Sequence, residues 1–198
     1  MMFSSPAPLV LASGSRYRKA LLDQIGLTYS VCAPNIDESP RPAESPVATA
    51  RRLAAAKARA VVVSCPGSVI IGSDQVATLD GVTAIGKPQT HENAVEQLTR
   101  MSGQSVLFYT AVCVLNAHSR NERDALVSTE VTFRSLTRAT IEAYLHRDQP
   151  YDCAGSARIE SLGIAVVSRV RSDDPTALLG LPLIALLDLL AAEGIRAL

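Results

Sequence analysis

The chain has 198 residues, 47% of them hydrophobic, which is enough for one well-packed domain. Nineteen basic residues balance nineteen acidic ones, and that neutrality argues against a nucleic-acid polymer as partner, whose binders carry a basic excess. The most apolar segment, ALLGLPLIALLDLLAA, is interrupted by Pro182 and Asp188 and is too short to cross a membrane, so no membrane partner is expected.

In chain order, MMFSSPAP has neither a basic n-region nor an apolar h-region. It reads as a short tail over residues 1–7, not a signal peptide, and the chain is expected in the cytoplasm. PLVLA (Pro8–Ala12) reads as a buried strand. Ser13-Gly14-Ser15 turns the chain, Ser15 caps a helix over Arg16–Ile25, and Gly26 ends it. LTYSVCA alternates like a strand and leads into the Pro-rich loop PNIDESPRPAESP. Ser45-Pro46 opens a second helix, a cap followed by proline at the first helical position, running through VATARRLAAAKARAVVV. SVIIGSDQVATL is a strand, Asp80-Gly81 a turn, IGKP a loop and His91–Met101 a helix. SVLFYTAVCVLN and ALVSTEVTFRSL flank the polar AHSRNERD as a long β-hairpin. Thr137 caps a helix over RATIEAYLHR. YDCAGSARIESLG is a loop, IAVVSRV a strand, and a buried helix begins near Pro182. Strands alternate with helices around an antiparallel hairpin, so the expected fold is α/β with a mixed sheet, one domain over residues 1–198.

The four cysteines lack C-x-x-C spacing and read as buried free thiols. His91, His118 and His146 lack zinc-site spacing, so no structural metal is expected.

LASGSRYRKALL places Arg16, Arg18 and Lys19 in a helix's first turn, where the macrodipole disfavours cations. An anion held jointly by the helix N-terminus and those cations would offset that cost. A merely solvated basic face is the alternative, and these residues alone leave both open. Neither G-x-x-x-x-G-K-[ST] nor G-x-G-x-x-G occurs. Asp74 closes the apolar run VIIGSD, which would carry it to the carboxyl edge of a sheet, where ligands of α/β proteins bind. Lys57 shares a helix face with Leu53 and Ala54, so it either snorkels outward or points at something negative. Glu38 and Asp74 could hold a hard divalent cation, and Arg18, Lys57 and Lys87 could neutralise a polyphosphate.

LASGSRYRKALL, DES, RRLAAAKA, IIGSDQV, GKP, YTAVCV and CAGSARIESLG…GLP, in that order, resemble the Maf family over nearly the whole chain from about Pro8. The resemblance implies a nucleoside-triphosphate pyrophosphatase that cleaves between the α- and β-phosphates with Mg²⁺ or Mn²⁺. It implies a long mixed sheet flanked by helices, two lobes around a cleft, similar to the inosine-triphosphate pyrophosphatases, and often a homodimer. It makes Asp74 the catalytic carboxylate. Ser13, Arg18, Glu38, Lys57 and Lys87 fall on further active-site positions, and Ser15 shares the phosphate-binding turn. One branch of the family, acting on dTTP and UTP, has Arg, Thr and Gln at positions 17, 75 and 160. The branch acting on 7-methyl-GTP has an aromatic residue, Gln and Glu. Tyr17, Gln75 and Glu160 resemble the second.

The chemistry of the base agrees. N7-methylation makes guanine cationic, and a cation over an aromatic face gains about 0.5–2 kcal/mol. Glu160 can accept from guanine N1–H and N2–H₂, with Gln75 donating to the base or holding Glu160. Ala157 and Ser161 stand where the family has Phe and Gly, and are expected to loosen the loop carrying Glu160. The rival readings are a dTTP/UTP or broad-specificity pyrophosphatase, and a nucleotide-binding regulator of cell division without turnover.

Overall fold

The computed structural model describes residues 7–198; most of the expected N-terminal tail lies outside the described residues. Strand β1 (Leu9–Leu11) is buried throughout. Helix α1 (Arg16–Gln24) follows, capped as expected by the Ser15 side chain. LTYSVCA yields only the short strand β2 (Ser30–Val31), because its partner β1 is itself three residues long. Helix α2 (Pro46–Ala60) starts at the Ser45 cap. Strand β3 (Val69–Thr78) follows, then β4 (Ala84–Ile85), α3 (His91–Met101), the hairpin β5 (Ser105–Asn116) and β6 (Glu122–Phe133), and α4 (Arg138–Asp148).

The hairpin differs from expectation at its tip. Glu122, Arg123 and Asp124 belong to the strand, not the loop. Arg59 and Arg51 of α2 reach them, binding Glu122 at 2.6 Å and Asp124 at 2.7 Å. A polar strand end is therefore satisfied by the helix lying across it. The IAVVSRV strand is also shifted. Residues 162–166 form a 3-10 turn, because Ser161 N–H and Gly163 N–H both donate to the Arg158 carbonyl. Strand β7 then runs Val167–Ser172 and pairs with β6. Helix α5 (Leu183–Ala192) follows Pro182 and buries Leu183, Leu186 and Leu190; its first turn donates Ile184 N–H to Asp174 at 2.7 Å.

The sheet order is β2-β1-β3-β5-β6-β7, with β4 beside β3. β1 pairs in parallel with β2 and β3, and every other pairing is antiparallel. The sheet is thus mixed, as expected. One face of its β1–β3–β5 part packs on α1 and α5 through Leu21, Leu22, Leu186 and Leu190. The other packs on α2 through Ala50, Ala54 and Ala58. A third core, with Leu98, Phe108, Phe133 and Leu145, joins α3 and α4 to the far ends of β5 and β6.

Two details of this packing position the site. β1 pairs with β3 as far as Ile71, and β4 takes up β3 only from Ala77. The edge of β3 between them has no neighbouring strand, and a cleft opens there. The second detail is Gly72. A Cβ at this position would overlap the Ala54 carbonyl oxygen and come within 2.8 Å of Ala58 N. Glycine lets the α2 backbone rest directly on β3.

Candidate active site

The cleft measures about 900 Å³. Its lining includes Ser13, Ser15, Tyr17, Arg18, Glu38, Lys57, Asp74, Gln75, Lys87 and Glu160, which is every site residue expected from the sequence.

Lys57 is the centre of its charged floor. It lies on the α2 face that carries Ala54 and Ala58, so the close approach at Gly72 drives it against β3. Asp74, two residues beyond Gly72, projects from the same face of the strand. Lys57 is 5% exposed and Asp74 7%. Lys57 Nζ donates to Asp74 Oδ1 at 2.6 Å and lies 3.0 Å from Glu38 Oε2. The lysine therefore points inward at two carboxylates. Burial raises the Asp74 pKa above the usual carboxylate range, and the Lys57 charge opposes the shift. Asp74 is mid-strand, not at a strand's end as VIIGSD suggested; it reaches the cleft because β1 stops short beside it.

Arg18 is the one cation of the opening trio that reaches into the Ser13–Ser15 turn. Its Nε donates to the Gly180 carbonyl at 2.8 Å and its Nη1 to Ser13 Oγ at 3.2 Å. Ser13 Oγ also accepts from Ser15 N–H at 3.1 Å. Burial lowers the Arg18 pKa, with the Asp74 and Glu38 charges opposing. Gly180 is held from the sheet side as well, where Ser73 Oγ donates to its carbonyl at 2.8 Å. Lys87 and Glu160 line the cleft as exposed side chains and make no ion pair among the described residues.

Glu38 is carried on a loop stapled to α2. Arg52 grips Glu44 through two hydrogen bonds of 2.6 Å, and Thr49 Oγ1 donates to the same carboxylate at 3.0 Å. The Arg52 contact depresses the Glu44 pKa to about 2. A depressed carboxylate stabilises the fold above its unfolded pKa and loses that contribution as pH falls through the folded value. The melting-temperature gap between the wild type and Glu44→Gln is expected to be largest at neutral pH and to shrink from about pH 4.5 toward 2. A gap independent of pH would separate the staple from this ion pair.

The expected base-reading residues depart from the sequence reading in three ways. Arg16 stacks its guanidinium 4.8 Å from the centre of the Tyr17 ring, so one face of that ring already carries a cation. The Tyr17 hydroxyl accepts from Arg16 at 2.7 Å and Arg158 at 3.1 Å. Gln75 does not hold Glu160. Its side chain is on the opposite strand face from Asp74, and its amide donates to Thr110 Oγ1 and to the Ala177 and Leu178 carbonyls at 2.9–3.1 Å. Ser161 does not loosen the loop; Ser161 Oγ donates to Asp148 Oδ1 at 2.6 Å and pins it. Sequence reasoning missed Asp152, Cys153 and Arg158. Asp152 and Cys153 line the cleft, and Arg158 and Asp152 hold the Tyr17 hydroxyl. The acidic and basic charges of YDCAGSARIESLG were the available signal. Only Cys113 among the cysteines is fully buried, and burial pushes its pKa up to about 12.

Residues 8–193 match the family described as Maf-like protein. The chain belongs to the Maf family. A Methylobacillus flagellatus protein named 7-methyl-GTP pyrophosphatase is 54% identical over 188 residues, covering 95% of this chain and 97% of that one. A Nitrosococcus oceani protein of the same name is 50% identical over 196 residues, covering 98% of each. Among solved structures, the Staphylococcus aureus Ham1 protein superposes on 65% of this chain and 72% of its own, with a TM-score of 0.47 and 14% identity. No helix among the described residues is long and apolar enough to cross a membrane.

Proposed function

We propose that this Maf protein is a nucleoside-triphosphate pyrophosphatase that converts 7-methyl-GTP to 7-methyl-GMP and pyrophosphate. The observation that carries the reading is the buried Lys57 bridging Asp74 and Glu38 on the floor of a nucleotide-sized cleft. The relatives' names support the substrate.

In this reading Arg18, the Ser13–Ser15 turn and the N-terminus of α1 bind phosphate oxygens. Asp74 accepts the proton of the attacking water, and its burial makes it a better base than an exposed carboxylate. Lys57 and Lys87 stabilise the charge gathering on the leaving pyrophosphate. The donor set fits Mg²⁺ or Mn²⁺. Asp74 Oδ2 and Glu38 Oε1 have no hydrogen-bond partner among the described residues, and such ions take one or two carboxylates plus substrate phosphates. Bound there, the cation supplies charge neutralisation at the triphosphate. The same reading treats the chain as one domain, homodimeric and cytoplasmic.

Tyr17 offers its remaining ring face to the cationic base, and Glu160 its carboxylate to the base edge. Gln75 acts on that pocket from beneath, by fixing the segment at residues 177–178. Tyr17→Leu is expected to lower the preference for 7-methyl-GTP over GTP by about 2- to 30-fold, the value of one cation–π contact. An unchanged ratio of kcat/KM would remove Tyr17 from base reading.

The deciding experiment is pyrophosphate release from 7-methyl-GTP, GTP, dTTP, UTP and CTP, with Mg²⁺ or Mn²⁺. Preference for 7-methyl-GTP supports the proposal. Preference for dTTP and UTP overturns the substrate and keeps the reaction. Nucleotide binding without release from any of the five overturns the enzyme reading in favour of a regulator.

A further inference from the structure

Two of the three histidines, unpromising by sequence spacing, meet in space. His91 opens α3, while Glu142 and His146 lie one turn apart on α4 and share a face. The His91 and His146 rings stack with centroids 5.0 Å apart and planes 26° from parallel. Nε2 of each is directed at the same oxygen, Glu142 Oε2, at 2.6 Å for His91 and 3.8 Å for His146. One ligand atom from each of the three residues lies within 4.8 Å of the other two.

We propose that His91, Glu142 and His146 form a binding site for a divalent transition-metal ion of the zinc class, distinct from the cation site of the cleft. Two imidazole nitrogens and one carboxylate oxygen are the donors zinc takes in sites that keep a fourth position for water. Magnesium prefers oxygen ligands alone, so the donor set separates this site from the carboxylate pair of the cleft. The surroundings are those of a metal site. His91 Nδ1 is 3.0 Å from the Tyr151 hydroxyl, which fixes the ring through its far nitrogen. Arg138 occupies Glu142 Oε1 at 2.6 Å and leaves Oε2 toward the histidines. On binding, the His91 Nε2–H···Oε2 hydrogen bond gives way to two bonds to the ion. The displaced proton moves to Nδ1, facing Tyr151, or, from a protonated ring, to solvent. The His146 side chain is 72% exposed and free to turn inward.

The site adjoins the cleft wall without belonging to it. Lys87 lies four residues before His91, and Gln89 N–H donates to the Tyr151 carbonyl at 3.1 Å. Tyr151 leads directly into Asp152 and Cys153 of the cleft. An ion here would tie α3 to α4 beside both segments.

The test uses full-length protein, free of affinity tags and stripped with a chelator, titrated with Co²⁺ and Zn²⁺ in excess Mg²⁺. The expected result is one equivalent of Co²⁺ with a visible ligand-field band, displaced by one equivalent of Zn²⁺. A hundredfold excess of Zn²⁺ over its Kd should raise Tm by roughly 5 °C or more. His146→Ala and Glu142→Gln should each weaken binding tenfold or more, while His118→Ala and Glu38→Gln should not. His146→Ala should keep its Mg²⁺-supported turnover, which shows that it folds. No band and no Tm shift with either metal at millimolar concentration would overturn the proposal. So would binding that survives both His146→Ala and Glu142→Gln, or one lost in Glu38→Gln.

Discussion

Asp74→Asn is expected to cut pyrophosphate release about a thousandfold on 7-methyl-GTP, GTP, dTTP and UTP alike. The substitution keeps the shape of the side chain and an oxygen that can accept from Lys57 Nζ, now 2.6 Å from Asp74 Oδ1. It removes the only property a base needs, the capacity to take a proton, a contribution of about 10²–10⁴ in rate. It also leaves Lys57 with a single carboxylate partner, Glu38, at 3.0 Å. A buried charge that loses one partner costs stability, so Tm should fall while the fold survives. The loss should be the same for every base, because the role proposed for Asp74 is at the phosphates. Retained activity within tenfold of wild type would overturn the role. Glu38→Gln supplies an independent check: its side chain is 56% exposed and Lys57 keeps the closer partner Asp74, so Tm should fall less than in Asp74→Asn, and a large loss in kcat in the folded variant must come from the site itself.

Much of the fold was legible because local signals agreed with it. Ser15, Ser45, Thr90 and Thr137 all cap helices through their side chains, and the long apolar strands Val69–Thr78 and Ser105–Asn116 pair in register along their length. The misreadings arose where a partner decided the outcome. β2 is short because β1 is short. Glu122 and Asp124 are strand because Arg59 and Arg51 neutralise them. The turn at residues 162–166 replaces strand because the Arg158 carbonyl captures two N–H groups. The same holds at the cleft. Residue types picked out side chains that gather in one cleft, but no spacing could reveal that Gln75 spends its amide on Ala177 and Leu178, or that Arg16 already covers a face of Tyr17. The His91–Glu142–His146 group was hidden for this reason too, since it is assembled between two helices and one of its members is a glutamate.

Gly72→Ala is expected to damage stability and activity together. The added methyl group meets the Ala54 carbonyl oxygen and Ala58 N, which are backbone atoms that no rotamer change can move aside. The helix must lift from the strand or the strand must bend. Overpacking of this kind costs about 1–3 kcal/mol and sometimes more, so Tm should fall by roughly 2–12 °C for a domain of this size. Activity should fall further than the unfolded fraction explains. Lys57 is on the lifted face of α2 and Asp74 is two residues from the obstruction, so the 2.6 Å contact between them is the first to open. Shrinking the neighbouring side chain in Gly72→Ala/Ala58→Gly should restore little, because the added methyl lies 3.1 Å from Ala58 Cβ but closer still to the backbone. Measuring Tm and kcat at a temperature where both variants are folded separates the two effects. Unchanged values for both would mean that the helix does not need its contact with β3 to aim Lys57. A lower Tm with full kcat would mean that the contact serves the fold alone, and that the lysine is positioned by its carboxylate partners.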